Sequence, residues 1–327
     1  MNIFRKNKIL VLGLLFTCIG LYAGKNDFGS EGTFKIGELN CEWKDEKRDR
    51  EVPAKIYFPS DNPGKCPVIV FSHGLGGSRD GYAYLGKHWA SHGYVCVHVQ
   101  HKGSDSGIFK SDAPEKALQK SVSDIRNSLN RPKDISFAID MLVKMNSSET
   151  PLKNRLDLDK IGAGGHSYGA YTVLAVAGQG PGRGNFLSLK DERVKAVIPM
   201  SAPASSAKAN LDKVYADIKI PCLHMTGTKD NSPIGQTSPE ERRIPYDHIK
   251  CPEQYLITFK DGDHMVFSGR RRGAPGKNDP LYHELILTAS TAFWDAYLKG
   301  YKKALDFLKQ NDGLRKTLGQ SATLEIK

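Results

Sequence analysis

Short runs of mostly apolar residues recur along the chain, and each has the length of one β-strand. Four of them lie at 67–72, 94–99, 194–200 and 222–226. Nearly continuous apolar runs are typical of parallel strands that are buried on both faces. Weaker patterns predict further strands at 33–43, 51–58, 160–164 and 254–259.

Apolar residues at helical spacing separate these strands. The spacing predicts helices at 80–91, at 132–144, from Tyr168 onward and over 281–308. Strands that alternate with helices build an α/β domain with a mostly parallel central sheet and helices on both faces. We expect no large cap domain. The long polar segment 101–130 interrupts the alternation, and we predict a loop there of the kind that forms lids or channel walls.

The N-terminal residues have the order of a secretory signal peptide. Residues 1–8 are basic, and residues 9–23 form an apolar run that is short for a membrane span. An alternative is a lipoprotein anchored at Cys18, although Thr17 is a poor residue before a lipidated cysteine. Export would make the protein secreted or periplasmic. We predict a signal peptide over 1–24, a flexible lead-in over 25–32, a catalytic domain over 33–310 and a C-terminal tail over 311–327.

The chain of 327 residues carries a formal net charge of +11. Without Arg5, Lys6 and Lys8 of the predicted signal peptide, the charge falls to +8. Such a charge is ordinary for the solvated surface of a domain of this length, so we expect no nucleic-acid partner. The mean hydropathy is negative, which argues against several membrane spans, and no stable span is expected in the mature chain.

Six cysteines are present, of which five lie beyond the predicted signal peptide. Cys96 and Cys222 lie in apolar runs, where a buried free thiol is expected. Cys41, Cys66 and Cys251 flank strands, so one disulfide among them is compatible with export. The cysteines have no CxxC or paired-ligand spacing, and we predict no structural zinc site.

One short motif points to a nucleophile. A predicted strand leads into Gly165-His166-Ser167-Tyr168-Gly169, and a helix follows at once. This is G-x-S-x-G in the strand–turn–helix context of a nucleophile elbow. The turn strains the serine backbone so that its hydroxyl projects above the sheet edge, and small flanking residues let strand and helix approach. We therefore predict that Ser167 is a nucleophile.

A serine hydroxyl needs a base to take its proton, and one of the ten histidines is suitably placed. His264 lies in the turn after the strand 254–259, and Asp230 lies in the turn after the preceding strand. Both turns leave the sheet at its carboxyl edge, where the elbow also lies. We predict His264 as the base and Asp230 as the acid that orients it. Asp261 and Asp263 are rivals for this acid, but they are very close to His264 in sequence.

The negative charge that develops on a substrate oxygen must be held by backbone N–H groups. Tyr168 follows the predicted nucleophile at a helix N-terminus, where its N–H and the helix dipole favour an anion. The glycine-rich turn 73–77 lets the backbone approach a substrate, and we assign the second N–H to Leu75. We expect His73 to hydrogen-bond the loop backbone and His166 to point away from the hydroxyl and pack.

Five segments together resemble the α/β-hydrolase superfamily. They lie within residues 34–300, in the family's order: FSHGLGGSRDGYAYLGKHWASHGYVCVHVQHKGSD, RPKDISFAIDML, GGHSYGAYT, GTKDNSPIG and DGDHMVFSG. The chain looks closest to dienelactone-hydrolase-like and platelet-activating-factor-acetylhydrolase-like esterases, with cutinase-like polyester hydrolases nearby. The resemblance implies a serine hydrolase of carboxylic esters that needs no cofactor. It places the nucleophile on Ser167, the acid on Asp230, the base on His264 and the oxyanion donors on Leu75 and Tyr168.

The resulting expectation is an exported serine esterase that acts on a small-molecule or polymer ester, with a short acyl group. Dienelactone hydrolases use a cysteine at the position of Ser167, so dienelactone is not the expected substrate. A peptidase or amidase on the same fold is one alternative, and a non-catalytic binding protein is another. We expect no metal, because His98 and His101 lack a third ligand. The basic run 270–272 attracts an anionic substrate or is a solvated loop.

Overall fold

The computed structural model describes residues 28–181, 188–205, 207–269 and 276–327. The predicted signal peptide at 1–24, with Cys18, lies outside these ranges, as does the basic run 270–272. Within them, no helix combines the length and the apolar character that a bilayer crossing requires.

Nine strands of the described residues form one sheet in the order β1-β2-β4-β3-β5-β6-β7-β8-β9. Neighbouring strands from β4 through β8 pair in parallel. The pairs β1–β2, β2–β4 and β8–β9 are antiparallel. The strands are β1 Ile36–Asp45, β2 Arg50–Pro59, β3 Cys66–Ser72, β4 Val95–Val99, β5 Leu156–His166, β6 Val194–Met200, β7 Cys222–Lys229, β8 Gln254–Asp263 and β9 Ala322–Ile326.

The helices connect these strands and cover both faces of the sheet, so the predicted mostly parallel α/β architecture is confirmed. Buried residues of α1, α7, α8 and α9 pack on one face, and those of α3, α4 and α5 pack on the other. The helices are α1 Ala83–Ser91, α2 Pro114–Ser123, α3 Ile125–Ser147, α4 Tyr168–Ala177, α5 Leu211–Tyr215, α6 Ile244–His248, α7 Asp279–Tyr297, α8 Lys302–Lys309 and α9 Leu314–Leu318.

Strand β3 illustrates why a continuous apolar run becomes a central strand. Successive side chains of a strand point to opposite faces. Ile69 and Phe71 pack with the α1 and α7 layer, and Val68 and Val70 pack with the α3 and α4 layer. Every residue of β3 is buried, and each large apolar side chain contributes about 1.5–3 kcal/mol when fully buried.

The segment 101–130 is helical over much of its length, so the predicted loop is wrong there. It contains a 3₁₀ turn at Ser106–Lys110, all of α2 and the first residues of α3. The sequence predicts this helix from Pro132, whereas it begins at Ile125 and contains the proline in its interior. Proline inside the helix leaves the carbonyl of Ser128 without its usual N–H donor, and the hydroxyl of Tyr171 donates to that oxygen at 3.3 Å.

Both ends of the described chain pack against the domain. Residues 311–327, predicted as a tail, include α9 and β9, and β9 pairs with β8 along the sheet edge. Its short sequence ATLEI alternates apolar and polar positions, as expected for an edge strand, and lacks a continuous apolar run. Phe28, in the predicted lead-in, is buried, and the N–H of Gly32 donates to Ser91 Oγ at 2.9 Å.

Candidate active site

Ser167 lies in the tight turn between β5 and α4. Its backbone has φ 57° and ψ −116°, a region that non-glycine residues rarely adopt. The backbone segments around this turn come too close together for side chains at the two glycines. A Cβ on Gly165 would lie 2.3 Å from the carbonyl oxygen of Gly169, and a Cβ on Gly169 would lie 1.9 Å from the carbonyl oxygen of Ser72. The two glycines of the motif are thus required by contact, as the sequence analysis expected.

The structure brings Ser167, His264 and Asp230 together at the carboxyl edge of the sheet. Ser167 Oγ lies 2.9 Å from His264 Nε2, and His264 Nδ1 lies 2.7 Å from Asp230 Oδ1. In the tautomer whose Nδ1–H donates to Asp230, Nε2 is free to accept the serine proton. The Asp230 carboxylate is fully buried, so bulk water does not compete for the imidazole.

Three further residues hold Asp230, and the sequence analysis missed all of them. The hydroxyls of Ser201 and Thr226 donate to Asp230 Oδ2 at 2.6 and 2.9 Å. Arg242 is buried, donates to the backbone oxygens of Asp230 and Ser201, and places its Nη2 3.3 Å from His264 Nδ1. Ser201 directly follows β6, a position at the carboxyl edge that could have been recognised. Arg242 lies in a 3₁₀ turn with no local motif that would have revealed it.

The rival carboxylates make other contacts. Asp261 is paired with Lys229 Nζ at 2.9 Å. Asp263 accepts a hydrogen bond from the backbone N–H of Met265 at 2.9 Å and caps the short 3₁₀ turn that begins at His264. Of these three aspartates, only Asp230 is hydrogen-bonded to the imidazole of His264.

The two residues assigned to the oxyanion hole line the same cavity as Ser167 and His264. Leu75 follows β3, and Tyr168 is the first residue of α4. Among the described residues, neither backbone N–H has a hydrogen-bond acceptor, so both are available to a ligand. Gly76 N–H, next to Leu75, donates to the carbonyl of Ser104 at 2.9 Å and fixes the loop on that side.

Two other histidines pack around this arrangement. His73 contacts its own loop, with Nδ1 2.6 Å from the carbonyl of Gly74. His166 Nδ1 lies 2.8 Å from the hydroxyl of Tyr82, and its ring centroid is 4.7 Å from that of His264. Burial, together with the nearby His264 and Arg242, holds the pKa of His166 well below its ordinary value. His166 therefore stays neutral beside His264.

A large cavity opens above Ser167, with a volume of about 1460 Å³. One wall comes from α2 and α3, and its apolar side chains include Ile125 and Leu129. Ile234 and Met265 also line the cavity. These side chains are partly exposed, and Ile125 is the most open of them at 66%. The cavity suits a substrate with a substantial apolar part.

The remaining predicted features lie apart from the site. The five described cysteines are all free thiols, so the structure contains no bridge among Cys41, Cys66 and Cys251. Burial raises the pKa of Cys96 and Cys222 well above the ordinary thiol value. Within the described ranges, no group of three His, Cys, Asp or Glu side chains is placed to hold a metal ion.

Comparison with known proteins shows which families the chain is similar to. A family model described as platelet-activating factor acetylhydrolase, isoform II, matches residues 48–128. The platelet-activating factor acetylhydrolase of Cavia porcellus is 26% identical over 297 residues, which covers 78% of this chain and 63% of the relative. That of Canis lupus familiaris is 34% identical over 247 residues, covering 66% and 51%. The chain has the α/β-hydrolase fold, and its sequence resembles the platelet-activating factor acetylhydrolase branch.

This α/β-hydrolase also has more distant relatives. Cutinase est1 of Thermobifida alba is 26% identical over 168 residues, a match that covers 51% of this chain and 43% of the cutinase. The chain spans 63% and 51% of the two acetylhydrolases described above. The predicted resemblance to acetylhydrolase-like esterases is thus confirmed at the level of the family.

Proposed function

We propose that this α/β-hydrolase cleaves carboxylic esters through an acyl-enzyme formed on Ser167. One observation carries the proposal: a continuous hydrogen-bonded chain from Ser167 through His264 to a buried Asp230, at the floor of an apolar cavity. The names of the relatives, acetylhydrolase and cutinase, support the same class of reaction.

In the first half of the reaction, Ser167 Oγ attacks the ester carbonyl carbon while His264 Nε2 takes the hydroxyl proton. The carbonyl oxygen becomes an oxyanion, which the N–H groups of Leu75 and Tyr168 hold. Asp230 stabilises the imidazolium that forms on His264. When the tetrahedral intermediate collapses, His264 gives its proton to the departing alcohol, and the acyl group stays on Ser167.

In the second half, a water molecule replaces the alcohol. His264 takes a proton from this water, and the resulting hydroxide attacks the acyl carbon. Collapse returns the proton from His264 to Ser167 Oγ and releases the carboxylic acid. Neither half needs a redox partner or a cofactor, because only protons and one acyl group move.

The test is hydrolysis of p-nitrophenyl acetate and butyrate by the purified protein. Ser167→Ala should lower turnover to the level of the uncatalysed reaction, and it should abolish labelling by a fluorophosphonate probe. Ser232→Ala is the matched control, because Ser232 lines the same cavity without contacting His264. Unchanged ester turnover in the Ser167 variant would refute the proposal, and faster cleavage of aminoacyl-nitroanilides than of esters would favour an amidase instead.

The preferred acyl group is short, and the larger part of the substrate is the alcohol or polymer chain. The name acetylhydrolase, carried by the relatives, supports a short acyl group, and the cavity of about 1460 Å³ offers room for a bulky remainder. A series of p-nitrophenyl acetate, butyrate and octanoate, together with an acetylated phospholipid and a polyester film, tests both points. A higher kcat/KM for octanoate than for acetate would contradict the short-acyl preference.

The protein is exported, and it acts outside the cytoplasm. The support is the basic and then apolar order of residues 1–24. The protein should be purified from the medium or the periplasm of cells that express it. Its mass should then be that of the chain without this segment. Incorporation of labelled palmitate that requires Cys18 would indicate the lipoprotein alternative.

A further inference from the structure

Arg131 is an unusual residue because its guanidinium is fully buried and contacts no carboxylate among the described residues, although the charge of Asp134 favours its protonated form. A buried charge is costly unless it is hydrogen-bonded and paired. Here the partners are neutral oxygens: Thr172 Oγ1 at 3.0 Å from Nε, Ser104 Oγ at 2.8 Å from Nη1, and Ser72 Oγ at 3.0 Å from Nη2. Burial lowers the pKa of Arg131 to about 10, and the side chain still carries its charge at neutral pH.

These contacts converge on the loop that carries Leu75. Arg131 Nη2 donates to the carbonyl of His73, two residues before Leu75. Nη1 donates to the hydroxyl of Ser104, and the carbonyl of Ser104 in turn accepts the N–H of Gly76, the residue after Leu75. The guanidinium therefore holds the loop on both sides of the proposed oxyanion donor.

The same side chain also contacts the second donor residue. The guanidinium carbon lies 4.5 Å from the ring centroid of Tyr168, a cation–π distance. Nε donates to Thr172 Oγ1, which donates to the backbone oxygen of Tyr168 at 2.9 Å. Arg131 is thus joined to Tyr168 by one direct contact and one bridged contact.

We propose that Arg131 is a positioning residue, which holds the Leu75 loop and Tyr168 at the separation that an oxyanion requires. This inference rests on the proposed esterase activity. Its physical basis is that donors preorganised around a developing charge stabilise the transition state more than the ground state. Loss of Arg131 should therefore lower kcat and leave substrate binding nearly unchanged.

The test compares Arg131→Lys, Arg131→Met and Thr172→Val with the wild type. Lysine keeps the charge, but its single nitrogen cannot span the four acceptors that Nε, Nη1 and Nη2 of Arg131 contact. We expect kcat to fall about 10–100-fold in both Arg131 variants, with KM within about threefold of the wild type. Thr172→Val, which removes only the bridge to Tyr168, should lower kcat about fivefold.

A transition-state mimic separates positioning from a general loss of structure. A trifluoromethyl ketone forms a tetrahedral adduct with an active-site serine and puts its oxygen in the oxyanion hole. Its inhibition constant should rise in parallel with the fall in kcat. Arg155→Met is the matched control, because Arg155 also donates to backbone oxygens, those of Pro59, Asn62 and Pro151, but far from the proposed donors. It should lower the melting temperature without changing kcat or the inhibition constant.

One further measurement makes the outcome decisive. Amide hydrogen exchange at Gly76 and Gly77, whose N–H groups donate to the carbonyls of Ser104 and Gly74, should accelerate in Arg131→Lys, whether or not the chain is an active esterase. If Arg131→Met does not fold, Arg131→Lys and Thr172→Val carry the test. Wild-type kcat in Arg131→Lys, or a lower kcat with an unchanged inhibition constant, would overturn the inference while Ser167-dependent hydrolysis remained. Absence of Ser167-dependent hydrolysis in the wild type would overturn the proposed function itself.

Discussion

At the residue scale, the candidate site is distinguished by the number of groups that contact the carboxylate of Asp230. Asp230 accepts two hydroxyl hydrogen bonds and the contact from His264, and the guanidinium of Arg242 lies beside it. Hydrogen bonds to a charged group are about twice as strong as neutral ones. The carboxylate is therefore fixed in one orientation, and it fixes the imidazole in turn.

The choice among the three aspartates is directly testable. Asp230→Asn should lower kcat by about 10²–10⁴-fold, because an amide can stabilise the tautomer of His264 that cannot accept the proton of Ser167. Asp261→Asn and Asp263→Asn are the matched controls, and they should retain kcat within about threefold. Steady-state kinetics on p-nitrophenyl butyrate measure all three. A larger loss of kcat in Asp263→Asn than in Asp230→Asn would show that the assignment of Asp230 as the acid is wrong.

Two adjacent arginines offer a second comparison. Arg242 is buried against Asp230 and His264, whereas Arg243 is partly exposed and pairs with Asp247 and Glu325. We expect Arg242→Gln to lower kcat about tenfold, because the backbone of Asp230 loses a charged donor. Arg243→Gln should keep kcat, because surface ion pairs contribute about 0–1 kcal/mol. Equal kcat values for the two variants would contradict a role for Arg242.

At the element scale, the active site depends on the close contact between β3, β5 and α4. The elbow glycines let these three elements approach at distances that no side chain tolerates. Helix α4 begins directly after Ser167, and its N-terminal dipole favours a negative charge at the proposed oxyanion position. The geometry of the elbow thus comes from backbone packing more than from any side chain.

Gly169→Ala tests this contact. A Cβ at this position would lie 1.9 Å from the carbonyl oxygen of Ser72, so α4 must move away from β3. We expect esterase activity to fall at least 100-fold and the melting temperature to drop by several degrees. Gly64→Ala is the control, since its Cβ would meet only a side-chain oxygen of Asn62, at 3.4 Å. Wild-type activity in Gly169→Ala would exclude a rigid elbow.

The elements that could be predicted from sequence are those whose own residues determine them. The buried strand β6 was predicted at its observed bounds, because its run is apolar and ends at a turn. Strand β9 was not, because its five residues alternate apolar and polar positions and form no continuous apolar run. The first two turns of α3 were not, because their side chains are mostly polar and tertiary packing decides their state. The same limit applies to the site: Ser167 belongs to a local motif, but Arg242 and Arg131 act across long sequence separations.

At the scale of the whole molecule, several histidines are buried in the neutral form. Burial lowers the pKa of His98 and His224 to about 4 and that of His101 to about 3, from an ordinary value of 6.5. In the unfolded chain these groups bind protons below pH 6.5, whereas the folded chain binds them only near pH 4 or below. Their contribution to stability is therefore full above pH 6.5 and is lost as the pH falls toward 4.

The expected outcome is a steep loss of stability on mild acidification. Urea midpoints should fall between pH 7 and pH 4.5, most of the change occurring below pH 6.5. His98→Gln should flatten this dependence, because it removes one proton-linked group. Asp134 does not titrate in this pH range. Burial raises its pKa, but hydrogen bonds from His101 and Arg50 outweigh burial and lower the pKa to about 2. A midpoint that stays constant down to pH 4.5 would contradict the neutral buried histidines.

Parts of the cavity wall come from segments that do not supply the proposed catalytic residues. Ile125 and Leu129 on α3 are two such wall residues, and Ile234 on the loop after β7 is a third. Substitutions at these wall positions can therefore change which ester fits, while the hydrogen bonds that join Ser167, His264 and Asp230 stay intact. Such a division lets substrate preference diverge among related chains without loss of the reaction. Directed evolution of a new substrate range should accordingly begin at these wall positions and leave the sheet edge untouched.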